Sequence, residues 1–397
     1  MTQRGSAREV FLAFLKLGLT SFGGPIAHLG YFRDEIVVRR RWLDEAEYAD
    51  LVALCQFLPG PASSQVGFAL GLWRAGPLGA LAAWAAFTLP SAILLLAFAL
   101  GAAALDGPVA QGVLHGLKLV AVAVVAQAVW GMARSLAPDR QRAAIALAAV
   151  FATILLAGSL GQVAAILLGG LAGLVLCRSE AVPVSVTARF PVSPAVGVAC
   201  LVAFAALLVG LPLLASGSAP HWLGLFDAFY RAGALVFGGG HVVLPLLDAE
   251  TVATGWVSKD AFLAGYGAAQ AVPGPLFTFA AYLGAAGSLP PNGVIGAGIA
   301  LVAIFLPGFL LLVGVLPFWD GLRGLPAAQA AMRGANAAVV GILGAALYNP
   351  VWTSAVLGPL DFAMALAGFV ALVVWKVPPW IVVVGLALAG GAIGIAA

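Results

Sequence analysis

Phe14-Leu-Lys-Leu-Gly-Leu-Thr-Ser-Phe-Gly-Gly-Pro-Ile26 is an apolar stretch interrupted near its end by glycine and proline. The chain repeats it as Phe229-Tyr-Arg-Ala-Gly-Ala-Leu-Val-Phe-Gly-Gly-Gly-His-Val242. A second interrupted motif, Gln56-Phe-Leu-Pro-Gly-Pro61, returns as Gln270-Ala-Val-Pro-Gly-Pro275. Lys16, Gly18, Phe22, Gly23 and Gly24 match Arg231, Gly233, Phe237, Gly238 and Gly239 at an offset of 215. Trp42, Gln56, Pro59, Gly60 and Pro61 match Trp256, Gln270, Pro273, Gly274 and Pro275 at 214. Leu89-Pro90 matches Leu306-Pro307 at 217, and Gln111 and Gly116 match Gln329 and Gly334 at 218. Small insertions account for the drift, and shared low complexity does not produce ordered matches at Trp, Gln and Pro. The two halves read as a duplication.

The surroundings of these motifs place the chain in a membrane. Of its 397 residues 62% are hydrophobic and 9% charged, against about 45–50% and about 25% in soluble proteins. So few charges cannot coat a soluble body of this size. Cys55, Cys177 and Cys200 are scattered, which argues against a disulfide framework or a structural zinc. A net charge of +3 does not suggest a nucleic-acid partner. Lys16 interrupts the first apolar run, and no small-residue cleavage site follows, so no removable signal peptide is expected.

A bilayer core takes about 20 apolar residues per helix. Nine uninterrupted stretches meet or approach that: 77–105, 108–133, 143–159, 161–177, 194–215, 293–317, 326–348, 354–375 and 379–397. Four more, 10–32, 46–73, 225–247 and 261–286, carry the breaks. Glycine and proline there leave backbone groups that hydrocarbon cannot satisfy. The expected fold is therefore all-α and polytopic, with broken or re-entrant helices in two repeats of inverted topology. The repeats are expected at 1–177 and 221–397, joined by a linker and extra span at 178–220.

Orientation follows the basic residues. If the broken segments form re-entrant pairs, 14 of the 19 Lys and Arg lie inside, Lys259 lies outside, and Lys16, Lys118, Arg231 and Arg333 lie within apolar segments. If each broken segment crosses fully, Arg33, Arg39, Arg40 and Arg41 face outward, so charge favours re-entrance. Either way the N-terminus is cytoplasmic and the C-terminus external, in a plasma (inner) membrane.

The paired FGG and PGP motifs, over both halves and so nearly the whole chain, resemble the long two-domain form of the chromate ion transporter family. That resemblance implies chromate efflux and resistance, with sulfate as a similar tetrahedral anion. The residues support a transport reading of their own, because broken helices in inverted repeats point to a midplane site. New half-helices are expected at Pro25, after Pro61, near His241 and after Pro275. A helix N-terminus carries about +0.5 charge and attracts oxyanions, so four ends offer about +2, a match for a dianion. The expected binding set is Phe22, Gly23, Gly24, Pro25, Gln56, Pro59, Gly60, Pro61, Ser63 and Ser64, with Phe237, Gly238, Gly239, Gly240, His241, Gln270, Pro273, Gly274, Pro275 and Thr278. The alternative is that the motifs are plain kinks.

Lys16, Arg231, Lys118 and Arg333 are candidates for charge compensation, since intramembrane cations are functional by default; snorkelling is the competing reading. Arg333 is near a cytoplasmic end, Lys118 is deeper, and Asn336 neighbours them in repeat position. His28, His115 and His241 are proton-carrying candidates, though a membrane histidine often only bonds its neighbours. Asp361 lacks an obvious mate in sequence and is expected to pair with a basic residue. Gln56 and Gln270 either donate to an anion or tie down the breaks. Gly169 and Gly173 read as close helix packing. No HExxH, Ser/His pairing or carboxylate dyad stands at a plausible spacing, so an intramembrane enzyme is disfavoured. The nearer rival is a proton-coupled carrier or importer of sulfate or another oxyanion. No metal or cofactor is called for. The partners are chromate, sulfate as its analogue, the bilayer and, as one assembly, a homodimer.

Overall fold

A computed structural model describes residues 5–102, 107–156, 158–178, 190–216, 220–322 and 324–396. Residues 179–189 of the linker and Arg323, counted above among the 14 inside Lys and Arg where basic, lie outside them. All regular structure among the described residues is helical. The first half contains α1 (Ala7–Thr20), α2 (Gly24–Phe32), α3 (Glu45–Phe57), α4 (Ala62–Ala102), α5 (Pro108–Leu136), α6 (Arg140–Leu155) and α7 (Ser159–Leu176). The extra span is α8 (Pro194–Ala215). Then come α9 (His221–Ala234), α10 (Val243–Leu247), α11 (Lys259–Ala269), α12 (Phe279–Ala286) and α13 (Gly293–Val315). The short α14 (Trp319–Leu322) leads to α15 (Pro326–Ala346), the single turn α16 (Thr353–Ala355), α17 (Pro359–Val373) and α18 (Pro379–Ala396).

Among the described residues, five stretches are long and apolar enough to cross a membrane: Ala62–Gly101, Pro108–Leu136, Pro194–Ala215, Gly293–Leu322 and Pro326–Ala355. This corrects the count of nine. The stretches 143–159, 161–177, 354–375 and 379–397 form helices of 16, 18, 15 and 18 residues, about 22–27 Å at 1.5 Å per residue. The stretch at 77–105 is fused to the half-helix before it within α4, across a reversal at Ala75 and Gly76. Gly76 has φ +67°, and there glycine makes the turn without a Cβ penalty. Large apolar side chains stay exposed along the flanks, Leu160 and Leu171 on α7 and Leu213 and Leu214 on α8 among them. Such a belt suits a polytopic membrane protein, whose solvent is lipid.

The broken pairs turn back on themselves. Asp44 starts α3 with a capping box, accepting from the Glu47 N–H at 2.8 Å while the Asp44 N–H donates to Glu47 Oε2 at 3.0 Å. Just before it, Trp42 Nε1 donates to Glu9 Oε1 at 3.2 Å, and Arg74 stacks over the Trp42 ring at 5.2 Å. The tip between α2 and α3 therefore sits beside the start of α1 and the end of the half-helix that closes at Arg74. A fully crossing pair would put that tip at the opposite end. In the second half Trp256 packs edge-on against His221 at 4.6 Å, again bringing a tip back to the start of its hairpin.

The halves interlock. α5 packs on α17 and α18, and α15 packs on α6 and α7. Gly116 lies against the backbone of Leu386 and Ala387, as Gly334 lies against Gly169 and Gly173. A Cβ on Gly334 would stand 2.6 Å from the Gly173 Cα, so these glycines serve close helix approach.

Candidate functional site

Each break is a point where a helix ends and another begins, and all four breaks meet. The Gly60 N–H donates to the Val236 carbonyl at 2.7 Å, and the Gly274 N–H donates to the Ser21 carbonyl at 2.9 Å. Both bonds run from a PGP glycine of one half to the residue before the FGG phenylalanine of the other. Gly60 has φ +123° and Gly274 φ +106°, a backbone region that side chains resist. A Cβ on Gly240 would lie 3.5 Å from Pro25 and 3.8 Å from Leu276, which joins three of the breaks directly.

Helix starts fall where expected in the first half, at Gly24 with Pro25 in its first turn and at Ala62. In the second half the entry is tighter: single 3-10 turns at Gly240–Val242 and Leu276–Thr278 precede α10 and α12. Thr278 donates its hydroxyl to the Pro275 carbonyl at 2.8 Å, closing that turn. His241 Nδ1 lies 2.7 Å from the Tyr266 hydroxyl. His28 Nδ1 lies 3.3 Å from Ser63 Oγ, a serine–histidine contact that sequence spacing did not anticipate.

Several buried polar atoms at the breaks have no partner: Ser21 Oγ, His28 Nε2, Ser64 Oγ, Gln65 Oε1, Gln270 Nε2 and Asn336 Oδ1. Asn336 belongs there because Gly238 approaches its Oδ1, at 3.6 Å from an ideal Cβ. Buried polar groups are ordinarily hydrogen-bonded, so this concentration sets the breaks apart from the rest of the described interior. Phe22, Phe237, Gly24 and Gly239 line the breaks with partial exposure and Gly23 is exposed, whereas Pro59, Pro61 and Pro273 build the turns. Gln56 is exposed and ties nothing down. That task falls to Gln65, whose Nε2 donates to the carbonyls of Pro59 at 3.0 Å and Gly308 at 2.9 Å.

The four cations do not converge on the breaks. Lys16 Nζ is 2.8 Å from Glu35, which also receives Arg39 and Arg40 at 3.3 and 2.9 Å. Burial raises the pKa of this tip carboxylate, yet the donors on Lys16, Arg40 and Arg39 outweigh it and pull it down to about 2. Arg231 holds Glu250 at 2.7 Å and Asp227 at 2.9 Å. Lys118 pairs with Asp260 at 2.9 Å, and Arg333 donates to the Cys177 carbonyl at 3.1 Å. Asp361 finds its basic mate in His115 at 2.8 Å.

Glu35 and Glu250 were missed from sequence, although each stands 19 residues after its cation in the repeat. Comparing acidic positions at the 215 offset would have found them. Gln65 had no such signal, because the matching position 279 is phenylalanine. Replacing Arg231 with Met is expected to cost about 3 kcal/mol of stability, since it takes a guanidinium away from Asp227 and Glu250 together. Lys16→Met is expected to cost about 1 kcal/mol or less, because Lys16 is half exposed and Glu35 keeps two arginines. Denaturation midpoints of the two variants in detergent test this; equal losses would refute the assignment of Arg231 as the tie for both carboxylates.

The architecture is that of a multi-pass helical membrane protein built around paired helix interruptions. The chromate transporter family profile matches residues 8–174 and 223–394, and the chain belongs to that family. It is 30% identical to the chromate transport protein of Pseudomonas aeruginosa, over 96% of this chain and 90% of that one. It is 29% identical to a probable chromate transport protein of Synechococcus elongatus, over 97% and 95%. The chromate transport protein of Cupriavidus metallidurans is 28% identical, over 85% and 80%. No solved structure matches the chain.

Proposed function

We propose that the protein exports chromate from the cytoplasm, binding the dianion where the four breaks meet. The observation that carries this is the reciprocal pair of bonds, Gly60 to Val236 and Gly274 to Ser21, ringed by unpartnered buried polar atoms. Half-helix N-termini at the FGG and PGP motifs supply partial positive charge, and Ser64 and Gln270 supply neutral donors. The lysine and arginine candidates, each held by a carboxylate or carbonyl, set the field and fasten the hairpins. The repeats, 1–177 and 221–397, lie in inverted topology around this point, with 178–220 joining them. The work is transport and not catalysis. Similarity to chromate transport proteins supports the substrate; sulfate, of the same shape and charge, is the natural competitor.

Uptake into vesicles holding the purified protein, with chromate and sulfate competed at a set membrane potential, tests the reading. Saturable chromate flux supports it, and its absence under every potential refutes it. The proton-coupled sulfate importer remains the second reading, favoured by the buried His28 with its unpartnered Nε2. Loss of coupling to a pH gradient in His28→Gln would select it.

The N-terminus lies in the cytoplasm and the C-terminus outside, in the plasma membrane. A single cysteine at Arg40, in a chain lacking the native three, should label only from the cytoplasmic side. One at Gly255 should label only from outside. Labelling of position 40 from outside would sink the inverted re-entrant arrangement.

A further inference from the structure

A second site lies away from the breaks, on the outer face of the α6–α7 pair. There a groove of about 290 Å³ runs between the two helices, lined by Ala144, Ala148, Ala152, Ala165, Leu168 and Leu176. Its length from Ala144 to Ala152 is about 12 Å at the rise of a helix. The small side chains of α6 leave a trough, and Ala148 and Leu168 on its walls are exposed. Nothing in its lining can hydrogen-bond through a side chain, so its guest is hydrocarbon.

One end of the groove is strongly basic. It stops at Leu176, the last residue of α7, and the next two residues gather arginines. Arg333 from α15 donates through Nε to the Cys177 carbonyl at 3.1 Å, and its buried Nη2 has no partner. Arg178 donates to the Leu174 carbonyl at 2.6 Å. Arg142, two residues before Ala144, is held at 2.6 Å by Asp139, whose carboxyl the Arg142 N–H and guanidinium keep below the usual carboxylate range. Arg140 begins the same helix. Arg333 and Arg178 thus stand at the Leu176 end of α7, and Arg140 and Arg142 at the start of α6, where Asp139 pairs with Arg142. By the charge asymmetry of the chain this mouth is on the cytoplasmic side, where basic pockets between helices hold anionic headgroups.

We propose that this groove binds an anionic phospholipid, one acyl chain lying along α6 and α7 and the phosphate taken by Arg333, Arg142 and Arg178. The unpartnered Arg333 Nη2 is the donor the phosphate would satisfy. An apolar chain joined to an anionic head fits both ends of the site, whereas a free anion fits only the mouth and a helix from a second copy leaves the arginines unanswered.

The test titrates the delipidated full chain with phosphatidylglycerol and with phosphatidylcholine of matched chains, counting bound lipid by native mass spectrometry. Wild type should retain phosphatidylglycerol in preference. Arg333→Gln should cut that preference about fivefold, the worth of one basic residue at an anionic surface, and leave phosphatidylcholine unchanged. Ala148→Phe should lose both lipids by filling the trough; Ala144→Leu, at the exposed open end, should do so partially and guards against misfolding, which helical circular dichroism checks. Equal retention of the two lipids by wild type, or unchanged retention in both groove variants, would overturn the proposal. So would displacement of the lipid by inorganic phosphate alone. A dimer that Ala148→Phe dissociates without loss of lipid would assign the groove to a second copy instead.

Discussion

Gly60→Leu and Gly274→Leu are expected to abolish chromate transport while leaving the protein folded in the membrane. Both glycines sit in backbone conformations that a side chain resists, at φ +123° and +106°. A Cβ on Gly60 would stand 3.0 Å from Gln65 Nε2 and 3.1 Å from the Gly308 Cα, so backbone itself must shift. At Gly274 it would stand 2.9 Å from Ser91 Oγ and 3.2 Å from the Phe87 carbonyl. Strain of about 1–3 kcal/mol adds to about 1 kcal/mol for a lost clasp bond to Val236 or Ser21. The sum, about 3 kcal/mol, lowers occupancy of the competent arrangement about a hundredfold. The leucine side chain would in addition fill the space at the half-helix ends. Gly76→Leu is the control, because Gly76 also has positive φ but no atom within 4 Å of its Cβ position, far from the breaks in sequence and contact. Wild-type flux through both Gly60→Leu and Gly274→Leu, measured in vesicles at matched protein content, would show that the breaks are kinks only.

The second large effect is electrical. Moving one charge through 100 mV is worth about 2.3 kcal/mol, so a dianion leaving an inside-negative cell gains about 4.6 kcal/mol at that potential. At about 1.4 kcal/mol per decade this sustains an outward gradient of roughly a thousandfold. Export driven this way needs no nucleotide, and the sequence carries no GxxxxGK[ST] motif. The pairing of the cations bears on the same point. Lys16 and Arg231 are already matched by Glu35 and by Asp227 with Glu250, so they would not travel with the substrate as counter-charge. Net chromate movement should then be electrogenic, and an imposed voltage without a pH gradient should drive it toward the positive side. Flux that ignores voltage and follows an imposed pH gradient would refute this and favour the proton-coupled reading.

Much of the architecture is written in local sequence. Membrane residence follows from composition, since 9% charge cannot solvate 397 residues. The breaks follow from Pro and Gly, whose backbone limits act at the residue where they stand. The duplication is legible because a repeat preserves order, as at Trp42 and Trp256. Helix lengths were less legible: apolar runs such as 354–375 continue through residues that the structure uses as turns, because lipid-facing loops and helices share one composition.

Tertiary structure alone decided what the breaks touch. The bonds from Gly60 to Val236 and from Gly274 to Ser21 join residues from opposite halves, and no periodicity links positions that far apart. Gln65 became the tie in place of Gln56 because α4 turns its side chain toward Gly308 of α13, a fact of how two helices pack. The same holds for the cations: sequence marked Lys16 and Arg231 as unusual, and folding back of each hairpin brought Glu35 and Glu250 within reach. A charge's role is set by its neighbours in space, and in this chain those neighbours lie across a reversal that only the folded hairpin creates.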